Sequence, residues 1–161
     1  MDVYLIQHAA AVPEEQDPRR PLTEQGRAAA AAVARYLAEL RGRLVCAAIP
    51  EIWHSGKLRA QQTAEVFAQA LRPPPSLVER AGMNPNDDPQ LLYGQIVARR
   101  DQPGSLMIVG HLPHLARLAG MLLAGDARMT PVQFVNAGVV RIVPTEQGWS
   151  VAWYITPTCV L

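Results

Sequence analysis

His8 stands at the end of a short apolar run, Asp2-Val3-Tyr4-Leu5-Ile6-Gln7, in which Val3 to Ile6 reads as a buried strand. An imidazole delivered to the carboxyl edge of an open α/β sheet lies where such sheets bind ligands, and is a candidate for chemistry there. A second candidate group is Ser55-Gly56-Lys57-Leu58-Arg59, which opens a stretch of helical spacing. Ser55 reads as the N-cap region, and the backbone N–H groups of this helix then point at the same edge. Lys57 and Arg59 fall in its first turn, where the helix dipole disfavours cations, so the placement points to a bound anion. Taken singly, a histidine at a strand end is an ordinary polar residue, and lysine and arginine can simply extend into solvent. Their meaning depends on reaching one rim together.

The elements that must bring them there can be read in order. After His8 comes a polar loop from Pro13 to Pro21. Thr23 then caps a helix running to about Leu40, with Ala29, Val33, Leu37 and Leu40 at helical spacing and Gly42 as its stop. Leu44 to Ile49 reads as the second strand, emptying into the loop that holds Ser55, and a helix covers Lys57 to Leu71. Arg72-Pro73-Pro74-Pro75 is a stiff link to a short strand, Leu77 to Glu79. The turn-rich stretch Ala81 to Pro89 follows, with Asp88 capping a helix over Leu91 to Arg100. Asn84, Asp87 and Asp88 are read as turn and cap residues, and Glu79 carries little weight as an acid. Ser105 to Val109 is a fully apolar strand, and Leu115 to Leu123 a helix ending at Gly125. Val132 to Val135, Val139 to Val143 and Trp149 to Ile155 read as further strands, the last two paired antiparallel around a Pro144 to Gly148 turn. Asn136-Ala137-Gly138 is placed to approach the rim by its backbone. His114 reads as surface or rim.

Composition bounds the function classes. The chain has 161 residues, 49% hydrophobic and 18% charged, which suits one folded domain spanning 1–161 and excludes a disordered one. A formal net charge of +1 gives no overall field for nucleic acid or membrane. Cys46 and Cys159 are far apart, with no metal-ligand spacing, and Cys46 reads as a small core residue. No apolar stretch reaches the roughly 18 residues needed to cross a bilayer. The expectation is a cytoplasmic protein without metal or cofactor, its oligomeric state open.

At this point the residues resemble a family. The strand ending in His8, then Arg20-Pro21-Leu22-Thr23 with Gly26, then Ser55 to Thr63 as S-x-x-x-R-A-x-Q-T, then Leu106 to Val109 followed by Gly110-His111-Leu112-Pro113, together resemble the histidine phosphatase superfamily, and within it the SixA-type phosphohistidine phosphatases. The resemblance implies a phosphoglycerate mutase-like three-layer α/β/α sandwich with a mostly parallel mixed sheet. It implies that His8 takes a phosphoryl group, that water then hydrolyses the phosphohistidine, and that Arg59 and His111 cradle the phosphoryl oxygens. Gln7, Lys57, Arg20 and Ser55 are expected to line the phosphate site. Phosphoryl transfer is mainly positioning and charge neutralisation, so these parts suffice without a metal.

The chain departs from the family's Arg-His-Gly, reading Gln7-His8-Ala9. A glutamine donates hydrogen bonds but brings neither charge nor fork, and Lys57 is read as supplying the missing charge. Many relatives place a glutamate general acid in the segment corresponding to Ala81 to Pro89; the SixA-like members lack it. An imidazole leaves more readily than an alkoxide, so phosphohistidine needs such an acid less. The implied substrate is a histidine-phosphorylated signalling or phosphotransfer protein, because a chain without an insertion leaves the site open. The alternatives are a phosphate- or phosphoprotein-binding module of the same fold that has lost turnover, and a general phosphomonoesterase.

Overall fold

The computed structural model describes residues 1–40 and 49–160. Six strands form one sheet: β1 (Asp2–Gln7), β2 (Glu51–His54), β3 (Ser76–Glu79), β4 (Ser105–Gly110), β5 (Val139–Thr145) and β6 (Gly148–Ile155). Their order is β3-β2-β4-β1-β5-β6. The first four are parallel to one another, and β5 runs antiparallel to both its neighbours, β1 and β6. The helices are α1 (Glu24–Glu39), α2 (Leu58–Ala70), α3 (Gln90–Val97) and α4 (His114–Ala124).

Side chains alternate across the pleat, so each strand feeds two cores. Tyr4, Ile6, Ile52, Met107 and Val109 pack with Val33 and Leu37 of α1 and Ala64 and Phe67 of α2. Val3, Leu5, Trp53, Leu106 and Ile108 pack with Leu92 and Ile96 of α3 and Leu115 and Leu118 of α4. Two helices on each face make the expected three-layer sandwich. Each large apolar side chain so buried contributes about 1.5–3 kcal/mol, and together they hold the parallel strands in register.

That register places the candidate residues. Gln7 lies opposite Gly110, and His54 opposite Val109. The chain therefore leaves β1, β2 and β4 at one edge, with His8, Ser55 and His111 as the first residues beyond the strands.

Several expectations need correction. The second strand was expected at Leu44 to Ile49; residues 44–48, with Cys46 and Gly42, lie outside the described residues, and the observed β2 is Glu51–His54. Pro50 immediately precedes this strand, and Ile52 and Trp53 are fully buried on opposite faces. No strand forms at Val132 to Val135. There the Tyr154 hydroxyl accepts from the Val135 N–H at 2.9 Å and donates to the Gln133 carbonyl at 3.1 Å, replacing a strand partner. The third helix, α3, is shorter than expected, Gln90–Val97, and Pro89, not Asp88, is its N-cap, with no side chain capping it; Asp88, one residue further out, accepts from Gln90 N through Oδ1 at 3.0 Å. Thr23 caps α1 as expected, its Oγ1 accepting from Gly26 N at 2.9 Å.

Candidate active site

The His8 backbone is fixed from three sides. Its N–H donates to the Gly110 carbonyl at 3.0 Å, its carbonyl accepts from Asn136 Nδ2 at 2.7 Å, and the Gln7 carbonyl accepts from Ala137 N at 3.0 Å. Ala137 thus reaches the rim by its backbone, as expected, whereas Asn136 reaches it by its side-chain amide. The ring is oriented as firmly. Nδ1 lies 2.8 Å from the Ala9 carbonyl, to which its hydrogen is donated, and Nε2 accepts from Arg59 Nε at 3.2 Å. This pairing leaves hydrogen on Nδ1 and a lone pair on Nε2. Burial is the main cause that lowers His8 to a pKa of about 4, with Arg59 and Arg20 adding to it against the Ala9 hydrogen bond. His8 is therefore neutral at neutral pH, with Nε2 free of hydrogen: the state a nitrogen nucleophile requires.

Arg59 sits in the first turn of α2 and is nearly buried. Burial and the nearby Arg20 both work against its charge and Glu14 favours it; a guanidinium stays protonated regardless. Two residues of the same helical motif hold the neighbouring loops. Thr63 Oγ1 accepts from Ala9 N at 3.0 Å and donates to the Arg59 carbonyl at 2.7 Å, and Gln62 Oε1 accepts from Leu22 N at 2.8 Å. Both residues belong to the S-x-x-x-R-A-x-Q-T motif, whose spacing carries no sign of this clamping role; only the packing of α2 against two loops reveals it.

His111 follows β4, is 1% exposed, and its ring lies beside that of His8, with centroids 4.9 Å apart at 55°. Its pKa is lowered to about 3, by burial first and then by His8, Arg59, Lys57 and His114. Ser55 does not act as expected. Lys57, not Ser55, is the N-cap of α2, and no side chain caps that end. The Ser55 hydroxyl, 1% exposed, lies 2.5 Å from His111 Nε2, so it is spent on the second histidine and orients it. Gly56 lies beside it, and a Cβ there would come within 2.5 Å of the Glu79 carboxylate and displace that side chain.

The remaining predicted residues surround this pair. Lys57 bears electrostatically on His111. Arg20 adopts a positive φ of 51°, donates from Nε to the Val12 carbonyl at 3.3 Å, and keeps its charge within range of His8 and Arg59. Gln7 has its side-chain oxygen buried and without a hydrogen-bond partner among the described residues. Asn84 and Asp87 are paired with one another, at 2.8 and 3.0 Å from the Asp87 carboxylate. His114, expected at the surface or rim, is fully buried; it opens α4 on the inward face.

A neutral imidazole whose unprotonated nitrogen faces Arg59, a second imidazole beside it, and three cations within electrostatic reach form a site for a tetrahedral oxyanion. Among the described residues no group of His, Cys, Asp and Glu could hold a metal ion, and no helix is long and apolar enough to cross a membrane.

Residues 3–82 match the model of the histidine phosphatase superfamily (branch 1). The chain is similar to the solved structure of the protein histidine phosphatase SixA complexed with tungstate, with 26% identity, 100% of both chains covered and a TM-score of 0.83. It is similar to a SixA from Agrobacterium tumefaciens assigned as a phosphohistidine phosphatase, with 26% identity, 97% of each chain covered and a TM-score of 0.75. A phosphoglycerate mutase from Plasmodium falciparum, at 15% identity with 94% of this chain and 88% of that one covered, shares the fold with a TM-score of 0.63. Compared by sequence with curated proteins, the chain matches none significantly.

Proposed function

We propose that this chain, which belongs to the histidine phosphatase superfamily, hydrolyses phosphohistidine on a signalling or phosphotransfer protein through a phospho-His8 intermediate. The observation that carries the reading is the state of His8: neutral, its Nδ1 hydrogen engaged by the Ala9 carbonyl, and its Nε2 lone pair turned towards Arg59. An arriving phosphoryl group takes the place of Arg59 Nε at that lone pair, and the guanidinium then meets its oxygens. His8 Nε2 bonds to phosphorus as the bond to the substrate's imidazole nitrogen breaks; that nitrogen keeps the electron pair, and with hydrogen on its other nitrogen the substrate ring leaves as neutral imidazole without an acid. Water then attacks the phosphorus of phospho-His8, releasing inorganic phosphate and regenerating the neutral ring. His111, held by Ser55, donates to a phosphoryl oxygen, and Lys57 and Arg20 add positive charge where Gln7 adds none.

The substrate class is supported by full-length similarity to SixA, whose tungstate is a phosphate-like tetrahedral oxyanion, and by the turn that follows β3. Its Asn84 and Asp87 are bound to each other and Asp88 accepts from Gln90 N, so it offers no acid for an alkoxide leaving group. The test is phosphate release from a phosphohistidine-bearing protein, in the presence of chelator, by wild type and His8→Ala. Loss of at least about 10³-fold with His8→Ala is expected. A wild type that binds phosphate without turnover favours a binding module, and turnover that survives chelation and His8→Ala removes the proposed intermediate.

A further inference from the structure

Asn136 stands in the segment that enters β5, and no step of the chemistry above uses it. Its Nδ2 donates to the His8 carbonyl at 2.7 Å. That carbonyl is one end of the His8–Ala9 peptide, and the other end, the Ala9 N–H, donates to Thr63 Oγ1 at 3.0 Å. A peptide unit is planar, so holding both its oxygen and its hydrogen fixes the orientation of the plane. The α2 helix holds it from one side and the entry to β5 from the other. The next carbonyl along the chain, that of Ala9, lies 2.8 Å from His8 Nδ1 and accepts the ring hydrogen. The plane therefore sets where the Ala9 carbonyl stands and, through it, how the imidazole is turned.

The segment that carries Asn136 is built to hold it still. Gly138 N donates to the Val135 carbonyl at 3.0 Å, closing a turn with Asn136 and Ala137 at its centre. Ala137 has a φ of 60° there, a left-handed conformation that a β-carbon resists. Such a residue persists only where its surroundings over-determine it. Here Ala137 is 1% exposed, packs in the core that Ile6 and Val139 share, and donates its N–H to the Gln7 carbonyl at 3.0 Å. Tyr154 of β6 supports the turn from behind. Its hydroxyl joins the Val135 N–H to the Gln133 carbonyl, and its ring lies so close that a Cβ on Gly138 would come within 3.0 Å of Cε2. Asn136 itself is exposed, so core packing does not account for it. What the turn delivers is an amide on the backbone of the nucleophile.

We propose that Asn136 is a positioning residue for His8: by holding the His8 carbonyl it fixes the His8–Ala9 peptide, keeps the Ala9 carbonyl on Nδ1–H, and so keeps the Nε2 lone pair aimed where phosphorus arrives. Transfer is sensitive to such aim, since a small misplacement of the reacting atom slows the step steeply. The kinetic consequence rests on the function proposed above; the hold on the ring does not.

The test is ring-nitrogen NMR of His8 in wild type, Asn136→Ala and Asn136→Asp, with steady-state kinetics on a phosphohistidine-bearing protein. Wild type should show one tautomer, with hydrogen on Nδ1. Asn136→Ala should bring in the Nε2–H form and speed exchange of the Nδ1 hydrogen with water about 10-fold, as the loss of one ordinary hydrogen bond implies. Asn136→Asp keeps the shape and lacks the donor, so it should do the same, whereas a role of bulk alone would leave it like wild type. The kcat of Asn136→Ala should fall about 10-fold at unchanged KM, because the phosphate contacts remain and only the aim is lost. His8 spectra identical to wild type in whichever variants fold would overturn the hold on the ring. A loss confined to KM, or no loss, would overturn its kinetic consequence. The spectra need no turnover, so a wild type inert towards phosphohistidine would sink the functional reading and still leave the hold on the ring decided.

Discussion

At the scale of the residue, the proposed chemistry rests on two imidazoles that the fold keeps neutral. Because burial lowers His8 to about 4, protonation does not disable it near the ordinary value of 6.5. We therefore expect kcat/KM, which reports the free enzyme, to stay flat on acidification from neutral pH and to fall only as pH approaches about 4. A pH–rate profile with its acid limb near 6.5 would show that the ring is solvated in solution. Lys57 is the second residue whose role can be isolated. If it replaces the charge that Gln7 does not bring, Lys57→Ala should weaken phosphate binding and raise KM about 10-fold, since a charge-assisted contact is lost. Unchanged phosphate affinity by calorimetry would return Lys57 to the role of a solvated side chain. Ser55 shows why such assignments need the structure: a serine before a helix suggests a cap, yet this hydroxyl is committed to His111.

At the scale of the element, the loop after His8 is clamped to the start of α1. Thr23 N donates to the Ala10 carbonyl at 3.0 Å, Val12 N to the Pro21 carbonyl at 2.8 Å, and Ala11 bridges Leu22. The close approach depends on Gly26, where a Cβ would lie 2.1 Å from the Ala10 carbonyl oxygen. Gly26→Ala must push α1 away from the loop that carries Arg20, so it should destabilise by about 1–3 kcal/mol, the range for overpacking. Chemical denaturation reads the loss; a variant of wild-type stability would mean that α1 is not seated as described. The same element logic explains why Pro144 is tolerated within β5. The β1 pairing ends at Ile142, so Pro144 faces only β6 and a missing N–H towards β1 matters little.

At the scale of the whole molecule, the neutral histidines tie stability to pH. Below about 6.5 an unfolded ring binds a proton that the folded ring refuses, until about pH 4 for His8 and about 3 for His111. The unfolded state thus binds more protons across this window. Their contribution is fully present above pH 6.5 and is lost as pH falls, at up to about 1.4 kcal/mol per pH unit for each ring. Denaturant midpoints measured from about pH 7 down to about pH 5 should therefore drop, and the drop should be shallower in His8→Ala. An equal slope in both proteins would remove His8 from the linkage. The site and the acid sensitivity then have one origin: imidazoles carried by parallel strands into a half-dry rim.

The sequence by itself determined the local terms. Apolar runs specified β1 and β4, Thr23 and helical spacing specified α1, and the ordered motifs around His8, Arg59 and His111 identified the family, because each depends on neighbours in the chain. Residues 41–48 aside, it misplaced what depends on distant partners. Glu51–His54 became a strand because β3 and β4 flank it, and Val132 to Val135 did not because the Tyr154 hydroxyl satisfies that backbone. The tertiary structure alone decided that His8 Nε2 meets Arg59, that Ser55 binds His111, and that His114 turns inward. Those outcomes follow from which side chains the sheet order brings within hydrogen-bonding distance and out of water, and no spacing along one chain encodes that distance.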